Sequence, residues 1–158
     1  MTPIPGLPEP TLAPEDLNRF LVAHFSEEIG AKDFRVTKVE HGGVELAFAP
    51  RQEHLRPGET VAGPVLFAIT DVAAYVAIIA HSGPHNLQAV TTSAQTNFLV
   101  RPSLGPLRCE GRLMKLGRRL AVVDAVIYDQ DGKAVVSASL TYALPPASSS
   151  SPAGTSQS

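Results

Sequence analysis

The feature that most constrains the fold is an apolar run at residues 61–80, in which Asp71 is the single charged side chain. Its length is close to that of a membrane-spanning helix, about 20 residues. A carboxylate at the centre of such a span would cost about 2.5–3.5 kcal/mol on insertion scales, and the run lacks the basic flanks that set membrane topology. The sequence therefore favours a helix buried inside a water-soluble domain.

Strand-like segments lie on both sides of this run. Apolar and polar residues alternate at 34–40 and again at 44–49, and His41-Gly42-Gly43 between them predicts a hairpin turn. Four more strands, bounded by turn residues, are predicted after the apolar run, at residues 91–100, 107–116, 120–129 and 133–143.

This order predicts an α+β fold in which a curved antiparallel β-sheet wraps around one long buried helix. A sheet with one apolar face needs that face covered. A helix that is apolar on all sides needs to be surrounded, and the curved sheet meets both requirements.

We expect one domain at residues 14–144, since 158 residues fit a single domain. It begins with an amphipathic helix from Pro14 to near Gly30. Residues 1–13 are rich in proline and are predicted to be a flexible, extended arm. Residues 145–158 are rich in serine and proline, with no large apolar side chains, and are predicted to be disordered.

Composition argues against several classes of function. A net charge of −2 gives no reason to expect nucleic acid as a partner. Cys109 is the only cysteine, so no intramolecular disulfide forms. The N-terminal residues lack a basic segment followed by an apolar one, which favours a cytoplasmic location. The histidines show no metal-ligand spacing, so no metal site is expected.

Asp71 is the main candidate for chemistry. Burying a carboxylate is costly unless it is paired or hydrogen-bonded, and such groups are common at functional sites. Two interpretations remain open from the residue alone: a catalytic carboxylate, or a structural aspartate bonded to a neighbouring strand. Cysteine catalysis is not indicated, because Cys109 lies in a strand-like segment without a local motif.

Four segments, in order, resemble the hotdog-fold acyl-CoA thioesterases of the phenylacetate-pathway type. They are RPGETVAGPVLFAITDVA at 56–73, TTSAQTNFLVRP at 91–102, GRLMKLGRRL at 111–120 and DGKAVVSASLTY at 131–142. The resemblance implies a hotdog fold and hydrolysis of an acyl or aryl-acyl coenzyme A thioester to a free acid and coenzyme A. No cofactor is implied, since coenzyme A is part of the substrate.

The sequence departs from this family before the helix. The histidine of many members is Ala62 here, and the second glycine is Pro64. Arg56 stands where some relatives have an asparagine or glutamine. A mechanism assisted by a loop histidine or amide is therefore not expected, and Arg56 is predicted to bind substrate instead.

The resemblance gives Asp71 the role of general base or of nucleophile, and the sequence does not choose between them. Thioester hydrolysis also needs donors for the developing oxyanion, and a helix N-terminus supplies free backbone N–H groups. Because Pro64 has no N–H, we expect the donors to come from Gly63, Val65 or their neighbours. Gly63 is predicted as the catalytic residue, and Pro64 and Val65 are predicted to lie beside the substrate.

A hydroxyl early in the strand after the helix is also part of the family's site, where it reaches the carboxylate of the partner subunit. Counting back from Phe98 indicates Thr91, whereas counting from Arg101-Pro102 indicates Thr92. We predict Thr91 as catalytic, and Thr92 and Ser93 as contacts to substrate.

A basic turn completes the predicted site. Gly117, Arg118 and Arg119 lie in the hairpin that family members use near the phosphates of coenzyme A, and arginine binds phosphate bidentately. The acyl group is expected to contact the long helix at Phe67, Ala68, Ala74 and Tyr75.

Two other functions and the state of assembly remain open at this point. The same fold could serve a non-catalytic acyl-CoA-binding protein, or a hydratase or dehydratase of acyl thioesters. A single sheet leaves an exposed edge strand, and the resemblance implies a homodimer or homotetramer with the site between subunits. Neither a nucleic acid nor a membrane is expected as a partner.

Overall fold

The computed structural model describes residues 4–25 and 33–146, which form two α-helices and eight β-strands. In chain order these are α1 (Pro14–His24), β1 (Phe34–Glu40), β2 (Gly43–Phe48), β3 (Leu55–Arg56), β4 (Thr60–Val61), α2 (Gly63–Ser82), β5 (Val90–Phe98), β6 (Leu107–Leu116), β7 (Leu120–Tyr128) and β8 (Ala134–Ala143).

Six strands form one sheet in the order β1-β2-β6-β7-β8-β5, and all neighbouring pairs are antiparallel. The sheet wraps around α2, so the predicted α+β hotdog arrangement is confirmed. The short pair β3–β4 is separate from this sheet and was not predicted, because strands of two residues leave no alternation to read.

Helix α2 is the centre of the core. It begins at Gly63-Pro64, where the extended Ala62 and a proline near the first turn favour helix initiation. It ends at Ser82, because Gly83 has a φ of 77°, which a helix does not continue through. Twelve of its residues are buried. The helix is long and apolar enough to span a membrane, and its position inside the sheet accounts for that composition.

The backbone of β6 approaches α2 closely at Gly111. A Cβ atom there would lie 3.2 Å from the backbone oxygen of Ala73. Glycine therefore permits a contact between backbone and helix that a side chain would push apart.

The outer edge of β1 is covered by α1. The side-chain amide of Asn18 donates to the backbone oxygen of Val36 at 3.0 Å and accepts from the Val36 N–H at 2.8 Å. These are the backbone groups that an edge strand leaves unpaired. The opposite edge, β5, has no such cover within the described residues, and nearly all of its side chains are exposed.

Residues 4–13 of the predicted arm lie along the domain. The Thr11 N–H donates to the Ala80 oxygen at 2.8 Å, and a ring nitrogen of His41 bonds the Leu7 oxygen at 2.9 Å. His41 lies in the turn between β1 and β2, as predicted. Helix α1 ends at His24, earlier than the predicted end near Gly30, because Phe25 is already extended (φ −101°, ψ 139°). Most of the predicted C-terminal tail falls outside the described residues.

His81, near the end of α2, joins the helix to the β1–β2 turn. The Gly42 N–H donates to its Nε2 at 2.8 Å, so its proton sits on Nδ1, which donates to the Ala77 oxygen at 2.8 Å. Burial lowers the pKa of this imidazole below 6.5, and the neighbouring His41 lowers it further, although the carbonyls of Ala77 and Glu40 oppose the shift.

We expect His81 to make folding stability depend on pH. Because its folded-state pKa lies below its unfolded value, its contribution is complete above about pH 6.5 and is lost as the pH falls through the folded-state pKa. Urea unfolding at several pH values should show a smaller decline for His81→Gln than for wild type. Exposed His85, changed to Gln, is the control. An identical decline in all three proteins would contradict the prediction.

Candidate active site

Asp71 lies in the middle of α2, where its carboxylate faces two hydroxyl groups of the sheet. The Thr91 hydroxyl donates to Oδ1 at 2.7 Å, and the Tyr142 hydroxyl donates to the same oxygen at 2.6 Å. The Tyr142 oxygen is also 2.9 Å from the backbone oxygen of Asp71. Within the described residues, no hydrogen bond is made to Oδ2.

The register of β5 and β8 explains why these two hydroxyls meet. Thr91 is directly opposite Tyr142, and a bulge between Thr91 and Ser93 interrupts the pairing. Thr91 therefore reaches Asp71, whereas Thr92 donates to the Thr141 oxygen at 3.2 Å. The choice of Thr91 over Thr92 agrees with this geometry.

One expectation from the resemblance is wrong in its connectivity. The strand hydroxyl was expected to reach the carboxylate of a partner subunit, but Thr91 bonds Asp71 of its own chain. This hydrogen bond joins β5 to α2 within one chain, so it is made without a second subunit. The exposed Thr92 and Ser93 make no hydrogen bond to Asp71.

Tyr142 is a site residue that the sequence analysis missed. It is 3% exposed, and its pKa is raised well above the ordinary range, chiefly by burial and then by the charge of Asp71 and the hydrogen bond to it. It therefore stays protonated and donates. A signal was present in the sequence: the other inward positions of β8 are apolar, and a buried tyrosine needs a partner for its hydroxyl.

A cavity of about 560 Å³ opens beside Asp71. Its walls are largely aromatic: the Tyr75 ring centroid is 6.3 Å from that of Tyr142, 6.1 Å from that of Phe20 and 5.6 Å from that of Phe25. His24 also lines it. Of the four residues predicted to contact the acyl group, only Tyr75 lines this cavity; Ala74 is buried in the core instead.

Gly63 is the first residue of α2, at the N-terminal end of the helix that carries Asp71. The N–H groups of Val65 and Leu66 donate to the Ala62 oxygen at 3.0 and 3.1 Å, and Pro64 has none. Gly63 therefore carries the free donor of the first turn, since no acceptor for its N–H occurs among the described residues. The expectation that Val65 shares this role is wrong, because its N–H is occupied.

A second cavity, of about 270 Å³, adjoins Gly63. Arg56, Phe98 and Arg101 line it with the glycine, and the exposed Pro64 does not. Asp71 is eight residues further along α2, which is about 12 Å at 1.5 Å per residue. One chain therefore holds its carboxylate and its free helix donor in separate cavities.

The turn between β6 and β7 carries the predicted phosphate-binding arginines. Arg118 and Arg119 are exposed, and the Arg119 oxygen accepts from the Leu144 N–H at 2.9 Å. A Cβ on Gly117 would lie 3.3 Å from the Leu120 oxygen, which explains the glycine. Because Ala143 pairs with both Leu120 and Val90, the turn lies at the same end of the sheet as Thr91.

Two alternative kinds of site find no support in the described residues. Cys109 is fully buried in β6, and burial raises its pKa far above the range in which a thiolate forms. Across residues 4–25 and 33–146, no three His, Cys, Asp or Glu side chains are grouped to hold a metal ion.

Comparison with known proteins identifies the family of the chain. The family model of the thioesterase superfamily matches residues 58–136. A protein of Silicibacter sp. TM1040 inferred to be a thioesterase is 32% identical, with a TM-score of 0.76 over 87% of this chain and 95% of its own. An inferred esterase of Thermoplasma acidophilum is 24% identical over 129 residues, 81% of this chain and 94% of the relative.

A further solved structure is informative because of its ligand. It is a hypothetical thioesterase of Streptococcus pneumoniae with coenzyme A, and it is 23% identical, with a TM-score of 0.66 over 73% of this chain and 90% of its own. At that identity the likeness concerns the fold alone. The family match and the Silicibacter relative carry the assignment: the chain belongs to the thioesterase superfamily and has its hotdog fold.

Proposed function

We propose that this protein is an acyl-CoA thioesterase that hydrolyses an acyl or aryl-acyl coenzyme A to the free acid and coenzyme A. The observation that carries the proposal is the carboxylate of Asp71, which is oriented by two hydroxyl donors at the wall of a cavity. The coenzyme A in the Streptococcus pneumoniae neighbour supports the choice of thiol. A place in the phenylacetate-pathway group is part of this proposal.

Asp71 can act in either of two ways. As a general base it takes a proton from water while the water oxygen bonds to the thioester carbon; the carbon–sulfur bond then breaks, and the thiolate leaves and is protonated. As a nucleophile it bonds to that carbon itself, expels the thiolate and forms an anhydride, which water then cleaves. Both routes need a carboxylate oxygen without hydrogen-bond donors, and within the described residues Oδ2 has none.

The developing oxyanion needs a donor, and we infer that Gly63 of the partner subunit supplies it. In one chain the Gly63 donor is about 12 Å from Asp71 along the helix, too far to bind the same carbonyl. Phe98 packs beside Gly63: a Cβ atom placed on Gly63 would lie 3.7 Å from the ring of Phe98. Thr91, in the same strand, contacts Asp71. Thr91 and Phe98 lie near opposite ends of β5.

Self-pairing of β5 about a two-fold axis would therefore join the two half-sites. In an antiparallel pair centred near Ala94, the Thr91 end of one strand lies opposite the Phe98 end of the other. The exposed apolar side chains on and beside β5, Val90, Phe98 and Leu99, favour such pairing. We propose a homodimer on this basis, which a homotetramer would retain.

The remaining predicted contacts suit the rest of the substrate. The aromatic walls formed by Phe20, Phe25 and Tyr75 suit an aliphatic or aryl acyl group. Arg118 and Arg119 lie at the Thr91 end of the sheet, and Arg56 beside Gly63, where guanidinium groups can bind phosphates. A cytoplasmic location and the lack of a further cofactor stay predictions.

Two observations keep other functions in view. Ala62 and Arg56 replace the helper side chains of many relatives, which would suit a protein that binds acyl-CoA without turnover. His24 lines the cavity of Asp71, and a histidine with a carboxylate is the pairing that hotdog hydratases use. We expect hydrolysis, and the experiment must distinguish it from binding without turnover and from hydration of an enoyl thioester.

The test is release of free thiol from a panel of short, medium and aromatic acyl-CoA esters. We expect turnover above the spontaneous rate with at least one ester. Saturable binding without thiol release across the panel would instead support the binding protein. Incubation with an enoyl-CoA, followed by a search for the hydrated ester, tests the hydratase.

A further inference from the structure

We propose that Tyr142 is a positioning residue for the reaction: together with Thr91 it fixes Oδ1 of Asp71, so that Oδ2 is the oxygen that reacts. This inference rests on the proposed thioesterase function and adds two things to it. It names a residue outside the segment at 56–73 that contains Gly63 and Asp71, and it distinguishes the two oxygens of the carboxylate.

The hydrogen bonds of Asp71 are distributed asymmetrically. Both hydroxyl donors, from Thr91 at 2.7 Å and Tyr142 at 2.6 Å, approach Oδ1. No donor from the described part of the chain reaches Oδ2. Since two donors on one oxygen resist rotation of the carboxylate, Oδ2 also keeps one orientation in a residue that lines the cavity.

Tyr142 also fixes the helix that carries the carboxylate. Its hydroxyl oxygen lies 2.9 Å from the backbone oxygen of Asp71 in addition to its bond to Oδ1. The tyrosine is buried and lies in β8, which is paired on both sides by β7 and β5. Because β8 is hydrogen-bonded to a strand on each side, the position of Tyr142 is more restrained than that of a residue in a loop or an edge strand. Tyr142 therefore restrains Asp71 in turn.

Either route of hydrolysis makes use of this asymmetry. Oδ2 takes the proton from water in the general-base route, or bonds to the thioester carbon in the nucleophilic route; in both, the electron pair of the broken carbon–sulfur bond leaves with the thiolate. Oδ1 keeps its two donors throughout.

Tyr142→Phe removes one donor and preserves the ring. We expect kcat to fall by about 10- to 100-fold, the effect of losing a hydrogen bond to a charged group, with a smaller change in KM. We also expect the acid limb of the pH profile of kcat/KM to move to higher pH. A tyrosine that served only packing would lower the melting temperature without moving that limb.

Tyr128→Phe is the matched control, since Tyr128 is on β7 of the same sheet and contacts Arg108 rather than Asp71. It should leave both kcat and the acid limb unchanged. If Tyr142→Phe fails to fold, 3-fluorotyrosine at position 142 keeps the shape and is a stronger donor, and the acid limb should then move to lower pH.

The two proposals fail in different ways. If wild type releases thiol from no acyl-CoA, the proposed function is wrong. If wild type is active and Asp71→Asn is inactive, but neither change at Tyr142 moves kcat or the acid limb, the positioning role is overturned and the function stands.

Discussion

Asp71→Asn is expected to lower kcat for thiol release by about 10²- to 10⁴-fold, the usual contribution of a general base. Asparagine has the shape of aspartate, and its carbonyl oxygen can still accept from Thr91 and Tyr142. The fold should therefore persist, while the group that accepts a proton or attacks carbon is gone. Thiol release under saturating substrate, with the melting temperature of each variant, measures the effect.

Asp124→Asn provides the control for this change. Asp124 is an exposed aspartate on β7, so the same substitution there should leave the rate unaltered. Asp71→Ala should be as slow as Asp71→Asn if the loss is one of chemistry. Full activity in both Asp71 variants would remove this residue from the mechanism.

Gly63→Pro is expected to lower kcat by about 10²- to 10³-fold, the cost of one oxyanion donor. The change deletes the free N–H, and the extended Ala62 (φ −65°, ψ 144°) has the conformation that a following proline requires. Gly63→Ala keeps the N–H and places its Cβ 3.7 Å from Phe98, an ordinary contact. It should therefore retain far more activity than the proline variant.

Mixing the two inactive proteins tests whether the site is shared. After dissociation and random reassembly, half of the dimers pair Asp71→Asn with Gly63→Pro, and each holds one intact site and one with both defects. Activity should recover to about a quarter of wild type. If Asp71 and Gly63 of the same chain worked together, every mixed dimer would be inactive and nothing would be recovered.

Much of the fold could be predicted from sequence because the signals are periodic and local. Gly63-Pro64 and Gly83 bound α2 on either side of an unbroken apolar run, and alternation predicted β1, β2 and β6 to β8 closely. The pair β3–β4 was missed because strands that short contain no period. Hydropathy alone does not distinguish a buried helix such as α2 from a membrane-spanning one. The contacts of α2 with the sheet account for its apolar composition.

The sequence predicted the site residues that belong to local motifs and missed those that other parts of the chain contribute. Asp71 and Gly63 belong to one continuous segment, and Thr91 follows soon after it. Tyr142 is 71 residues away from Asp71 in sequence, and its approach depends on how β8 packs against α2. Phe20 and His24 read as one face of an amphipathic helix, and no pattern indicated that this face would border a cavity.

The amide of Asn18 also decides the form that self-assembly can take. If both edges of the sheet were free, β1 of one molecule could pair with β5 of the next, and such head-to-tail contacts would grow into open filaments. Asn18 occupies the outward backbone groups of Val36, so a further strand cannot pair with β1 at that residue without displacing the amide. The proposed pairing of β5 with its own copy uses the same edge twice, so this contact closes on itself and does not propagate into a filament.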